Sequence, residues 1–129
     1  MKRQREEAAK FLRLAKRDLI AFRILRDSGE TDMFSALFHA QQCAEKSLKA
    51  VLAHNNQFVP RIHDLLGLVE LVEKFAVIPV SESELNNLTP YAATMRYDEL
   101  EYVALDYPSA TKIVEAVFNW AKGMIGEEQ

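Results

Sequence analysis

Between Phe38 and Ala50 the chain places His39, Gln42, Lys46 and Lys49 at positions i, i+3, i+7 and i+10, with Glu45 beside them. On a helix this spacing makes one continuous line of hydrogen-bond donors, suited to holding an anion such as a phosphate. A solvated helix face has the same composition. A second cluster, Arg61, His63 and Asp64, stands just before an apolar helical run. There the free backbone N–H groups of a first helical turn attract an anion. His63 acting as a simple cap of that helix is the alternative. The third cluster is Arg96-Tyr97-Asp98, in which Arg96 is the only Lys or Arg between Lys74 and Lys112. With Asp98, Glu99 and Glu101 nearby, an intramolecular salt bridge is the commoner use of such an arginine.

Other chemistries find no pattern. The chain has no glycine-rich phosphate loop, His-Glu-x-x-His helix, Cys-x-x-Cys pair or Gly-x-Ser-x-Gly elbow. The three histidines, His39, His54 and His63, share no ligand spacing on one helix, and the carboxylates lack the Glu-x-x-His repeat of a diiron bundle. No metal and no cofactor is expected. Cys43 is the single cysteine, which excludes an internal disulfide and fits a reducing cytoplasm; within an apolar-flanked helix it reads as a small buried hydrophobe. The first 26 residues keep inserting Lys and Arg among apolar positions, so no export signal is read, and no apolar run approaches a membrane span.

Charge is divided unevenly. Residues 1–49 carry 11 Lys/Arg against 7 Asp/Glu and residues 50–129 carry 5 against 12, so the overall −3 combines a basic first part with an acidic second. Lys10, Arg13 and Arg17, at i, i+3 and i+7, form one side of the first helix and could meet an anion. A solvated face complementary to the acidic half accounts for them equally.

The elements that must carry these groups are helical. With 129 residues, 49% apolar and few Gly or Pro, the chain fits a single domain over 1–129. Ala8, Phe11, Leu12, Ala15, Leu19, Phe22 and Leu25 recur at three and four, predicting a first helix over 4–27 that stops at Ser28-Gly29; Ile20 and Ile24 fall on its outer side. A second helix over 32–54 has a stripe of Phe34, Leu37, Gln41, Ala44, Leu48 and Val51, and the short turn between the two makes them antiparallel. A third helix is read over 62–75. Ser81 with Glu84 predicts a capping box opening a fourth, which Pro90 bends or ends. Pro108 marks the start of a fifth helix with Ala110, Ile113, Val114, Val117, Trp120, Ala121 and Met124 on one face and Gly123 or Gly126 near its end. The expected fold is all-α, an up-and-down bundle of about five helices.

The run Phe38-His39-Ala40-Gln41-Gln42-Cys43-Ala44-Glu45-Lys46-Ser47-Leu48-Lys49-Ala50 resembles the signature helix of the HEPN family, the higher eukaryotes and prokaryotes nucleotide-binding domain. Arg61-Ile62-His63-Asp64-Leu65 is similar to the family's His-Asp-Leu opening of the next helix. Leu88-Thr89-Pro90-Tyr91 leading to Arg96-Tyr97 resembles its Arg-Tyr-Pro segment, and Leu12-x-x-Ala15-x-x-Asp18-Leu19 its first helix. The resemblance implies a bundle like the substrate-binding subunit of nucleotidyltransferases. It also implies a nucleotide or RNA ligand held by Gln42, Lys46, Lys49, His63, Arg96 and Tyr97, a homodimer, and a minimal nucleotidyltransferase as protein partner in a toxin–antitoxin-like system.

Two departures matter. Asp98 stands where the family often has proline, and the Arg-x(4–6)-His motif of the family's ribonucleases is absent, since the corresponding positions after Arg96 hold Glu101, Tyr102 and Val103. The expectation is therefore a non-catalytic nucleotide- or RNA-interacting module. The alternatives are a ribonuclease in which His63 or His39 replaces the missing histidine across a dimer, and a purely structural partner protein. Convergence of Lys46, Lys49, His63 and Arg96 on an open cleft would favour ligand binding. Salt bridges to Asp18, Glu45 and Asp64 without such a cleft would favour the structural role.

Overall fold

The computed structural model describes residues 2–30, 33–92 and 105–126. Five α-helices occur among them, α1 (Lys2–Ser28), α2 (Met33–His54), α3 (Leu65–Val72), α4 (Glu82–Asn86) and α5 (Tyr107–Ile125), with a 3-10 turn at Thr89–Tyr91. No strand is present among the described residues. The fold is the expected all-α bundle, and no helix among the described residues is long and apolar enough to cross a membrane.

α1 and α2 are antiparallel. Gln4, near the start of α1, donates to Asn56 just past the end of α2 at 2.7 Å, and Asp18 midway along α1 meets His39 and Lys46. α5 runs back along α1, tied at one end by Arg23 to Glu115 (3.0 Å) and by Arg26 to the Thr111 hydroxyl (3.0 Å). Ala8, Ala15, Leu19 and Phe22 are the buried face of α1, while Phe11, Leu12 and Leu25 are half-buried and Ile20 and Ile24 lie outside, 44% and 63% exposed.

α2 is more central than its stripe suggested. Fourteen of its 22 residues are buried, because α1, α3, α5 and the 3-10 turn all pack around it. Ala36, Ala40, Cys43, Ala44, Ala50 and Ala53 let those neighbours approach closely, and Leu37, Leu48, Val51 and Leu52 fill the spaces between. Burying each of these larger side chains contributes about 1.5–3 kcal/mol.

The smaller elements correct several boundaries. The third helix begins at Leu65 rather than Ile62, because Asp64 is its N-cap and accepts the Leu66 N–H at 3.2 Å; His63 does not cap it. The helix ends at Val72, and Phe75 and Ala76 close a turn onto the Val72 carbonyl. The capping box at Ser81 is complete: Ser81 Oγ accepts the Glu84 N–H at 3.0 Å and the Glu84 carboxylate accepts the Ser81 N–H at 2.9 Å. Pro90 neither bends nor terminates α4, which has already ended at Asn86; it sits in the 3-10 turn. Pro108 is the second residue of α5, after the cap Asp106, and Gly126 ends that helix with the positive φ (69°) glycine tolerates best. Phe118, absent from the expected α5 face, is buried, whereas Trp120 and Met124 are only partly so.

Candidate functional site

The donor line on α2 forms as spaced, and α1 and the segment before α3 supply its partners. Two carboxylates organise it. Asp18 of α1 holds His39 Nδ1 at 2.8 Å with one oxygen and Lys46 Nζ at 2.6 Å with the other. Glu45, one helical turn before Lys49, accepts from Lys49 Nζ at 3.0 Å and lies 3.1 Å from His63 Nδ1. The Gln41 amide donates to Glu45 and to the His63 carbonyl, both at 3.3 Å, and Gln42 donates to Gln41 Oε1 at 2.8 Å.

Burial explains the pairing. Glu45 and Lys49 are only 3% and 8% exposed, and a charge taken out of water at that depth is tolerated only with a counter-charge and hydrogen bonds. The second half of the α2 line is thus internal to the bundle, not a solvated face. Gln42 and Lys46 are half-buried and His63 is exposed. Lys49 and His63 are brought together on Glu45, Gln42 is linked to it only through Gln41, and Lys46 belongs to the Asp18 centre. Arg96 and Tyr97 lie outside the described residues with the rest of 93–104, whereas Leu88-Thr89-Pro90-Tyr91, which leads to them, is described and forms the 3-10 turn. Asp64 pairs with no cation among the described residues; its carboxylate serves the α3 cap.

The sequence places Gln41 in the apolar stripe of α2 and marks Asp18 only as a salt-bridge partner. The available signal for Asp18 was its position: it falls between Ala15 and Phe22 on the buried side of α1, where an isolated carboxylate requires a partner from the next helix.

Two openings bear on the site, and only the smaller is lined by these groups. A shallow recess of about 300 Å³, lined by Leu14, Arg17, Asp18, Ala21, His39 and Lys46, exposes the Asp18 centre. A larger cavity of about 460 Å³ lies where the start of α1 meets the ends of α2 and α5, and Arg13 of the basic α1 face lines it. Cys43 is fully buried and its thiol is pushed up to about 12 by desolvation, which leaves it protonated and unreactive at neutral pH. No group of three metal-ligating side chains occurs among the described residues.

Comparison with known proteins gives one result of substance. The family model of the HEPN domain matches residues 8–124, nearly the whole chain. The span includes the α2 line, Asp18, His63 and the segment with Arg96. Neither the curated proteins nor the solved structures supply a match.

Proposed function

The chain belongs to the HEPN domain family, which associates it with nucleotide- or RNA-related function, and from that premise we propose a non-catalytic module that interacts with a nucleotide or RNA. The observation carrying this reading is the contrast between two sets of cations. Lys46 and Lys49 of α2 are neutralised by Asp18 and Glu45. Arg5, Lys10, Arg13, Lys16 and Arg17 of α1 are exposed and make no ion pair or hydrogen bond among the described residues. A protein presenting this many uncompensated cations is suited to a phosphate-bearing ligand. The resemblance implies Gln42, Lys46, Lys49, His63, Arg96 and Tyr97 as the ligand set, of which Lys46 and Lys49 already hold Asp18 and Glu45.

The same proposal includes a symmetric homodimer, using the outer α1 face that bears Ile20 and Ile24, and a minimal nucleotidyltransferase as protein partner in a cytoplasmic toxin–antitoxin-like pair. A second reading is favoured by the Asp18 and Glu45 ion pairs, which make the α2 line the internal adhesive of a structural partner protein.

Thermal-shift and direct-binding titrations with nucleotides and short RNAs at 50 and 300 mM salt separate the two. Binding that weakens as salt rises supports the ligand reading, and its absence for every probe supports the structural one. Light scattering of the purified protein at micromolar concentration is expected to give the dimer mass; the monomer mass removes the dimer.

A further inference from the structure

The larger cavity has a composition that the family-implied ligand set leaves unexplained. Its walls come from three helices: Arg5, Leu12, Arg13 and Lys16 from one side of α1, His54 from the last turn of α2, and Phe118 and Lys122 from α5. No carboxylate among the described residues lines it. His54 and Lys122 occupy last helical turns, where the negative end of the helix dipole favours a cation without any ligand. Arg5, Arg13 and Lys16 have no such account. Arg13 stands three residues from Lys10 and from Lys16 and four from Arg17, and like charges at these separations repel along a helix. The floor beneath them is apolar, formed by Leu12 and Phe118, with a volume of about 460 Å³. That is within the range of small-molecule sites, roughly 300–1,000 Å³.

Resting on the nucleotide or RNA reading above, we infer that this cavity between α1 and α5, rather than the α2 line, is the phosphate-binding site, and that it takes a phosphorylated nucleoside. The phosphates meet Arg5, Arg13 and Lys16, and the base lies against Leu12 and Phe118. A fatty-acid carboxylate brings one negative charge to three cations, whereas a nucleotide polyphosphate brings several. Arginine suits both parts of such a ligand, because its planar fork donates to phosphate oxygens in pairs and its face stacks on a heterocycle. The α2 line offers no comparable place, since its lysines are already satisfied at 2.6 and 3.0 Å.

The site is tested by calorimetric titration with ATP, adenosine, tripolyphosphate, and a five-nucleotide RNA with or without a 5′-phosphate. The proteins are the full chain, its Arg13→Glu/Lys16→Glu variant and its Lys74→Ala variant. Both α1 positions are exposed, so the doubly substituted protein is expected to melt like the parent, which circular dichroism verifies. ATP binding is expected to exceed adenosine binding at least tenfold, to weaken with salt, and to fall at least tenfold in the α1 variant while changing less than threefold in Lys74→Ala, an exposed lysine away from the cavity. Competition with ATP by the 5′-phosphorylated RNA, and not by its 5′-hydroxyl form, identifies a chain end as the source; its failure to compete identifies free nucleotide. Both results support the site. Undiminished ATP or RNA binding in the α1 variant overturns this inference and leaves the functional reading standing. No binding of any probe to the parent overturns both.

Discussion

Asp18 of α1 and Lys46 of α2, 28 positions apart in the chain, meet at 2.6 Å, and the other oxygen of the same carboxylate lies 2.8 Å from His39 Nδ1. One side chain thereby ties the two longest helices together at mid-height. Asp18 is largely shielded, 12% exposed at the side chain, and Lys46 is 25% exposed, so the pair lies between the surface and buried limits. Asp18→Ala is expected to cost about 1–3 kcal/mol in urea unfolding, because it leaves the half-buried Lys46 without its counter-charge. Lys46→Ala should cost less, and the double substitution should recover about 1 kcal/mol or more of coupling. An Asp18→Ala protein as stable as the parent would show the contact to be incidental.

The buried thiol gives a prediction about reactivity. Thiolate, not thiol, is the alkylating nucleophile, and Cys43 is held protonated by desolvation up to about 12. Iodoacetamide at pH 8 is expected to leave the native protein unmodified for hours and to label it within minutes in 6 M guanidinium, measured by intact mass. Prompt labelling of native protein would mean that α2 opens often enough to present its most central face.

These two cases show where sequence reasoning reached and where it stopped. The burial of Cys43 followed from the apolar positions flanking it, and the capping box at Ser81 was readable because both partners lie within four residues. Lys49 was different. Its spacing identified the correct line on α2, yet its burial depends on α3 and the preceding segment folding over that line, which local periodicity does not encode. Asp64 and His63 illustrate the same limit at shorter range: either can stand at the start of α3, and the Asp64 carboxylate wins the Leu66 N–H. His63 then turns to Glu45, a partner 18 residues away. Phe118 was missed because Trp120 and Met124 fit the helical period equally well.

The caps predict the response to acid. Glu84 is held below the usual carboxylate range by its hydrogen bond from the Ser81 N–H, and Asp106 by that from the Ser109 N–H. A carboxylate with a lowered folded-state pKa contributes stability that is present above its unfolded pKa, near 4, and lost as pH falls through the folded value. The melting temperature should therefore decline as pH falls below about 4. Glu84→Gln and Asp106→Asn should each flatten that decline, while Ser81→Ala should cost about 1 kcal/mol at pH 7. Parallel acid limbs in the parent and both carboxylate variants would refute the assignment.

The last prediction concerns catalysis: the purified protein is expected to show no metal-independent ribonuclease activity. Cleaving RNA through its own 2′-hydroxyl requires a base to take that proton and an acid to protonate the leaving oxygen, each worth roughly 10²- to 10⁴-fold. Histidine is the side chain whose ordinary pKa suits both duties near neutrality. No histidine follows Arg96 at the motif distance, and Tyr102, which stands there, carries a phenol that ordinarily ionises only near 10. His63 directs Nδ1 to Glu45 at 3.1 Å, and His39 directs Nδ1 to Asp18 at 2.8 Å. A histidine so held is positioned by its carboxylate, and it becomes a catalyst only if a guanidinium and the scissile phosphate reach its other nitrogen. Incubation of a mixed-sequence RNA with the protein in EDTA is expected to leave the RNA intact. Cleavage that survives repeated purification and disappears in His63→Ala would overturn the non-catalytic reading and make His63 the displaced catalytic group.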